Sequence, residues 1–133
     1  AFVIVGGYAV AVHGHPRATK DIDILVEPTK SNAKKVHRAL LAFGAPVDAF
    51  NLSEEDLANY QEVLQLGVPP NRIDLLTKAD GISFDEAVAS GLTIDIEGHA
   101  IPVIGLDALL KNKRASGRAQ DLADVEALAS FLL

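Results

Sequence analysis

The sequence predicts an α/β (α+β) domain: a small mixed β-sheet flanked by helices, with a helical pair at the C-terminus. Three observations point to it. Short apolar runs rich in β-branched residues alternate with segments of helical apolar spacing, glycine and proline fall where the period changes, and from Leu106 onward the spacing is helical. The 133 residues fit one domain, residues 1–133, long enough to bury a core without covalent staples.

Phe2-Val3-Ile4-Val5 is apolar throughout, as a buried strand requires, and Gly6-Gly7 ends it. Tyr8 to His13 reads as a short helix, broken at Gly14-His15-Pro16 because a proline disfavours helical geometry in the residue before it. Ile22 to Val26 is the next strand, closed by Pro28. Ser31 is the expected N-cap of a helix whose Ala33, Val36, Leu40, Leu41 and Phe43 recur at near-helical spacing, with Gly44 as its stop. Ser53 to Leu57 suggests a helical turn, and Glu62 to Leu66 alternates like a strand. Pro69-Pro70 then leads into a strand at Arg72-Ile73-Asp74-Leu75-Leu76. Ser83 caps a helix from Phe84 to Ala89. Thr93–Ile96 and Ala100–Val103 flank Glu97-Gly98-His99 as a hairpin, with Pro102 placing its second strand near a sheet edge. Two closing helices carry Leu109 and Leu110, then Leu122, Val125, Leu128 and Leu132, and part at Ser116-Gly117.

Composition narrows the function classes. The absence of cysteine excludes disulfides, thiolate metal sites and thiol nucleophiles, and fits a reducing compartment. A formal net charge of -6 argues against a broad basic surface for nucleic acid, so any RNA contact is expected to be local. No apolar run approaches the ~18 residues that span a bilayer, and Phe2 to Val5 lacks the basic lead and length of a signal peptide, so a cytoplasmic protein without a membrane partner is expected. The chain contains no methionine and begins inside an apolar run, which suggests that an element preceding Ala1 is missing.

The chemistry concentrates in Gly6-Gly7 and Asp21-Ile22-Asp23. Glycines let backbone approach phosphates closely, since they lack Cβ and tolerate positive φ. Carboxylates two apart on a strand share a face and can aim at one hard cation. Each half also has an ordinary reading, a tight strand-to-helix turn for the glycines and turn hydrogen bonds for the aspartates. Asp74, on a strand whose Ile73 and Leu75 point the other way, supplies a third carboxylate for a metal-assisted reaction. Arg72 shares its face and either tunes the site by an ion pair or only holds the strand. His13 and His15 lack the partners of a zinc site and read as loop histidines.

These residues resemble the nucleotidyltransferase superfamily that shares the DNA polymerase beta fold, and within it the AbiEii-like toxins and related minimal nucleotidyltransferases. The superfamily pattern is a glycine turn, a spacer, Asp-x-Asp, then a later acidic residue, matched here by Gly6-Gly7, Asp21-Ile22-Asp23 and Asp74. Arg17-Ala18-Thr19-Lys20, Lys113, Arg118 and Gln120-Asp121-Leu122-Ala123-Asp124-Val125 extend the likeness over nearly the whole chain.

The resemblance implies a nucleotidyltransferase fold and the transfer of a nucleoside monophosphate from a nucleoside triphosphate (NTP) to an acceptor hydroxyl, releasing pyrophosphate. Asp21, Asp23 and Asp74 would be the catalytic, Mg2+-binding carboxylates. Gly6, Gly7, Arg17, Thr19, Lys20, Lys113, Arg118 and Asp121 would form the nucleotide side. Lys113 is the foremost phosphate partner, whereas Lys111 and Arg114 read as a solvated face. Arg118 and Asp121 either pair with each other, being three apart on a helix, or Asp121 orients Lys113 or Arg118 toward phosphate. The implied acceptors are the 3′ end of tRNA or a partner protein, such as the cognate component of a toxin-antitoxin pair. Alternatives are a non-catalytic nucleotide-binding toxin-antitoxin interaction module and a transferase acting on a small hydroxylated substrate.

Overall fold

The structure, a computed structural model, describes residues 1–19, 21–46 and 64–130. In chain order these form β1 (Phe2–Val5), α1 (Gly6–Val12), β2 (Asp21–Val26), α2 (Lys30–Phe43), β3 (Leu64–Leu66), β4 (Arg72–Leu76), α3 (Phe84–Ala89), β5 (Leu92–Ile96), β6 (His99–Val103), α4 (Leu106–Ser116) and α5 (Ala119–Ala129). The six strands make one mixed sheet in the order β3-β4-β2-β1-β6-β5. β1 runs antiparallel to β2 and parallel to β6, β2 is parallel to β4, and antiparallel β3 and β5 form the edges.

Strand alternation and register sort the side chains onto two faces. Val3 pairs with Leu25 and Val5 with Asp23, and Asp23 pairs in turn with Asp74, which puts these residues on one face. On that face Val3, Val5 and Leu25 join Ala9 and Val10 of α1, Leu109 and Leu110 of α4 and Leu128 of α5 in the main core. The opposite face is covered by α2, where Ala33 and Leu40 pack with Leu64 and Leu66 beside Val36, Ile73 and Leu75. The aspartates therefore share their face with the helices α1, α4 and α5.

Local chemistry accounts for most boundaries. The Ser83 hydroxyl accepts the Glu86 N–H while the Glu86 carboxylate accepts from Ser83 N–H, a reciprocal cap that starts α3. Gly44 ends α2 at φ 91°, a left-handed geometry that glycine adopts without steric cost. The β5–β6 hairpin turns on Glu97 and Gly98, both at positive φ, and the Asp95 carboxylate accepts the Gly98 N–H at 2.9 Å.

Several details correct the sequence reading. Thr29, not Ser31, caps α2: its backbone is extended and its hydroxyl accepts the Asn32 N–H at 3.1 Å, while Ser31 lies in the first turn. β1 ends at Val5, before the glycines as expected, but helix α1 spans Gly6–Val12 and so begins before Tyr8. Leu41, Phe43 and Leu122 are half or more exposed, because the helices turn other residues inward. β6 lies near the sheet edge as expected, with β5 alone outside it. Ile104 N–H donates to the Ile4 carbonyl, and the two-residue repeat points the Pro102 nitrogen to the same side. Its missing N–H fits a β1–β6 ladder reduced to the single register pair Ile4↔Val103. Lys20, the turn expected over 53–57, Glu62, Val63 and Leu132 lie outside the described residues. Among the described residues no helix is long and apolar enough to cross a membrane.

Candidate active site

The parallel pairing of β2 with β4 assembles the acidic centre. Its register sets Asp21 opposite Arg72 and Asp23 opposite Asp74, all on the face that carries α1, α4 and α5. Ligand oxygens from Asp21, Asp23 and Asp74 lie within 4.8 Å of one another, a spacing that can hold a metal ion. The donors are hard carboxylate oxygens, the set that magnesium and similar cations take.

Arg72, whose role the chain pattern left open, forms ion pairs with two of the three aspartates. Its Nε donates to Asp74 Oδ1 at 2.8 Å, and its Nη2 donates to Asp74 Oδ2 at 3.0 Å and to Asp21 Oδ2. One planar guanidinium thus grips Asp74 with two bonds and Asp21 with a third, as its fixed fork permits. Asp23 receives no cation among the described residues. Burial, then the neighbouring charges of Asp21 and Asp74, push its carboxyl up to about 7, against a weaker opposing pull from Lys113.

Facing the triad is a cationic wall built on α4 and α5. Asp121 and Asp124, three apart on α5, turn inward together and are 1% and 0% exposed. Lys113 of α4 is inserted between them, its Nζ 3.1 Å from Asp121 Oδ1 and 3.0 Å from Asp124 Oδ2. Arg17 closes on Asp124 through Nε at 2.8 Å and Nη2 at 2.9 Å, and Arg118 Nε donates to Asp121 Oδ2 at 2.7 Å. Gln120 adds a 3.1 Å bond to Asp124. Burial alone would push both carboxyls up. Hydrogen bonds from Arg118 and Lys113 to Asp121, and from Arg17 and Lys113 to Asp124, outweigh it and hold both below the ordinary carboxylate value. Three cations on two carboxylates leave one positive charge in excess.

Between triad and wall lies a cavity of about 940 Å³, bordered by Gly6, Gly7, Asp21, Asp23, Asp74, Lys113 and Arg118. Lys78, Asp80, Asn112 and Ser116 also border it, and Asn112 and Ser116 both donate hydrogen bonds to Asp80. The glycines are required by contact. Gly6 sits at φ 68°, and a Cβ there would lie 2.0 Å from Asp23 Oδ2; a Cβ on Gly7 would lie 2.7 Å from Thr19 Oγ1. The start of α1 is thereby seated directly against Asp23 and Thr19.

The residues singled out from sequence converge, with some changes of role. Thr19 reaches the cavity, but its hydroxyl donates to the Asp21 carbonyl at 3.2 Å, which fixes the entry into β2. Arg118 and Asp121 do pair, and Asp121 holds Lys113 as well. Arg17 borders the cavity while bound to Asp124. His13 caps the end of α1 and bonds the Ile104 carbonyl at 2.7 Å, a packing role. Lys111 is exposed and pairs with Glu86 at 2.7 Å. Asp124 and Gln120 were not singled out as site residues. For Asp124 the signal was the spacing of 121, 124 and 128, the i, i+3, i+7 pattern of an inward helix face; exposed Gln120 had none.

No protein-family model matches the chain, and a search of curated proteins finds no relative.

Proposed function

We propose that the chain is a nucleotidyltransferase of the DNA polymerase beta type, moving a nucleoside monophosphate from an NTP to an acceptor hydroxyl with Mg2+. The observation that carries this reading is the β2–β4 register, which gathers three carboxylates on the sheet face beside Gly6-Gly7 and opposite a cationic wall across one cavity. The fit of the metal rests on the hard-oxygen donor set and on the Arg72 guanidinium, which already spans Asp21 and Asp74 as a cation would. Asp21, Asp23 and Asp74 would hold it. A bound divalent cation neutralises phosphate oxygens and makes an acceptor hydroxyl more acidic.

The chain's own residues supply positioning and charge. The acceptor hydroxyl gives up its proton to solvent as its oxygen attacks the α-phosphorus, the bond to the bridging oxygen of the β-phosphate breaks, and pyrophosphate departs. Lys113, Arg118 and Arg17 carry the excess positive charge suited to that departing anion, and Asp121 and Asp124 fix where it sits. Gly6 and Gly7 border the cavity and let the start of α1 sit against Asp23 and Thr19. Asp74 faces the acceptor hydroxyl. The acceptor is an RNA 3′ end, as in tRNA, or a hydroxyl of a partner protein in a toxin-antitoxin pair.

The test is transfer of label from each α-³²P-NTP with Mg2+ to total RNA and to cell lysate, with Asp21→Asn and Asp23→Asn as controls. Labelled RNA or protein that disappears in both variants supports the reading and identifies the acceptor class. Calorimetric binding of an NTP without transfer would instead support a non-catalytic nucleotide-binding module. Neither binding nor transfer would refute both.

A further inference from the structure

Among the described residues, Arg72 is the one cation hydrogen-bonded to the acidic triad. It takes both oxygens of Asp74 and one of Asp21, the oxygens of two of the three carboxylates that a metal would need. We propose that Arg72 is a resident counter-cation that competes with the divalent metal for Asp21 and Asp74, so that metal binding requires the guanidinium to release the Asp21 oxygen. The inference rests on the metal-site reading above and concerns how that site is regulated.

Three features of the geometry carry it. Nη2 serves Asp21 Oδ2 and Asp74 Oδ2 together, so it occupies the space between the two carboxylates rather than their outer edges. A dication placed among the same oxygens would also meet a fixed positive charge at short range, which disfavours having both. Finally, the Arg72 side chain is 24% exposed and borders the cavity, so it can leave by rotating about its own stem without disturbing β4. A guanidinium that merely braced the strand would need only the two bonds to Asp74. The third bond, across to β2, neutralises the triad while no metal is bound.

The experiment is titration of Mn2+ into the wild-type chain, Arg72→Gln and Arg72→Lys by calorimetry without nucleotide, at about pH 8.5, where a carboxyl of pKa near 7 is ionised. Circular dichroism and melting check that each variant is folded. Arg72→Gln is expected to bind Mn2+ about tenfold or more tightly than wild type, the scale of a lost charge-assisted hydrogen bond. Arg72→Lys keeps the charge without the spanning fork and is expected to lie between them, and it decides the matter alone if Arg72→Gln does not fold. Equal or weaker binding by the folded variants would overturn the competition while leaving the metal site standing. No Mn2+ binding by any of the three proteins would overturn the metal site and the competition together.

Discussion

Replacing Gly6 by alanine tests whether the start of α1 is seated on the acidic centre. Two costs are separable. A left-handed backbone at φ 68° costs an L-residue about 1–2 kcal/mol. The new Cβ would also lie 2.0 Å from Asp23 Oδ2 and 2.9 Å from its Cγ, so the carboxylate must swing out of the triad or the helix must shift. A forced rearrangement in packed surroundings adds about 1–3 kcal/mol. The total, roughly 2–5 kcal/mol, is a large part of the stability of a domain worth about 5–15 kcal/mol. The measurement is urea unfolding, without divalent cations, of wild type, Gly6→Ala, Asp23→Ala and the double variant. With the carboxylate gone mainly the backbone cost remains, so the cost of Gly6→Ala should fall by about 1–3 kcal/mol, to about 1–2 kcal/mol, in the Asp23→Ala background. If Asp23 escapes the contact by rotating, the same clash appears as a loss of Mn2+ affinity of about tenfold or more. The reasoning fails if Gly6→Ala costs the same in both backgrounds and binds Mn2+ as well as wild type.

Four further outcomes are expected. Because the Asp23 carboxyl is pushed up to about 7, metal must displace its proton at lower pH: Mn2+ affinity by calorimetry should fall up to about tenfold per pH unit below 7 and level off above it, and Asp23→Asn should flatten that slope. In the metal-free protein the sign is opposite for folding, since the folded state holds this proton more tightly; the Asp23 contribution to stability declines as pH rises from 3.8 to about 7, whereas those of Asp121 and Asp124 are present above the ordinary carboxylate range and lost on acidification. Asp124→Ala strips Lys113 and Arg17 of a fully buried partner and should destabilise the fold by about 3–5 kcal/mol in urea melts, with Asp124→Asn losing less. Thr29→Ala should cost about 1 kcal/mol and Ser31→Ala close to nothing, which thermal melts of the two variants compare directly.

The strands and the hairpin were legible because their information is local. Phe2 to Val5 is apolar at every position, and Glu97-Gly98 is a two-residue turn with glycine where positive φ is needed. The cap of α2 was misread because Thr29 and Ser31 are both suitable cap residues. Only the extended backbone at Thr29 decides between them. The exposure of Leu122 has a different origin. Its helix has two stripes at helical spacing, one through Leu122 and Val125 and one through Asp121, Asp124 and Leu128. Apolar character favours the first, but the second is buried, because Lys113, Arg17 and Arg118 make it the more satisfied face.

The candidate site divides along the same line between local and long-range information. That Asp21 and Asp23 share a face follows from strand geometry alone, and the glycines announce a close contact without naming it. That Asp74 stands beside Asp23, and Arg72 beside Asp21, follows from a parallel register between strands some fifty residues apart, which no local pattern encodes. The buried Lys113–Asp121–Asp124 cluster carries the argument further. Replacing buried ion pairs by packed apolar residues is often neutral or stabilising, so stability alone does not explain charges at positions where leucine would serve. What apolar side chains would not provide is a positive charge held at a fixed place opposite three carboxylates. Every polar atom of the cluster is satisfied within the protein, and among the described residues no buried side-chain nitrogen or oxygen lacks a partner. A wall assembled in this way can meet an anion without first rearranging, which is the condition under which electrostatic stabilisation is most effective.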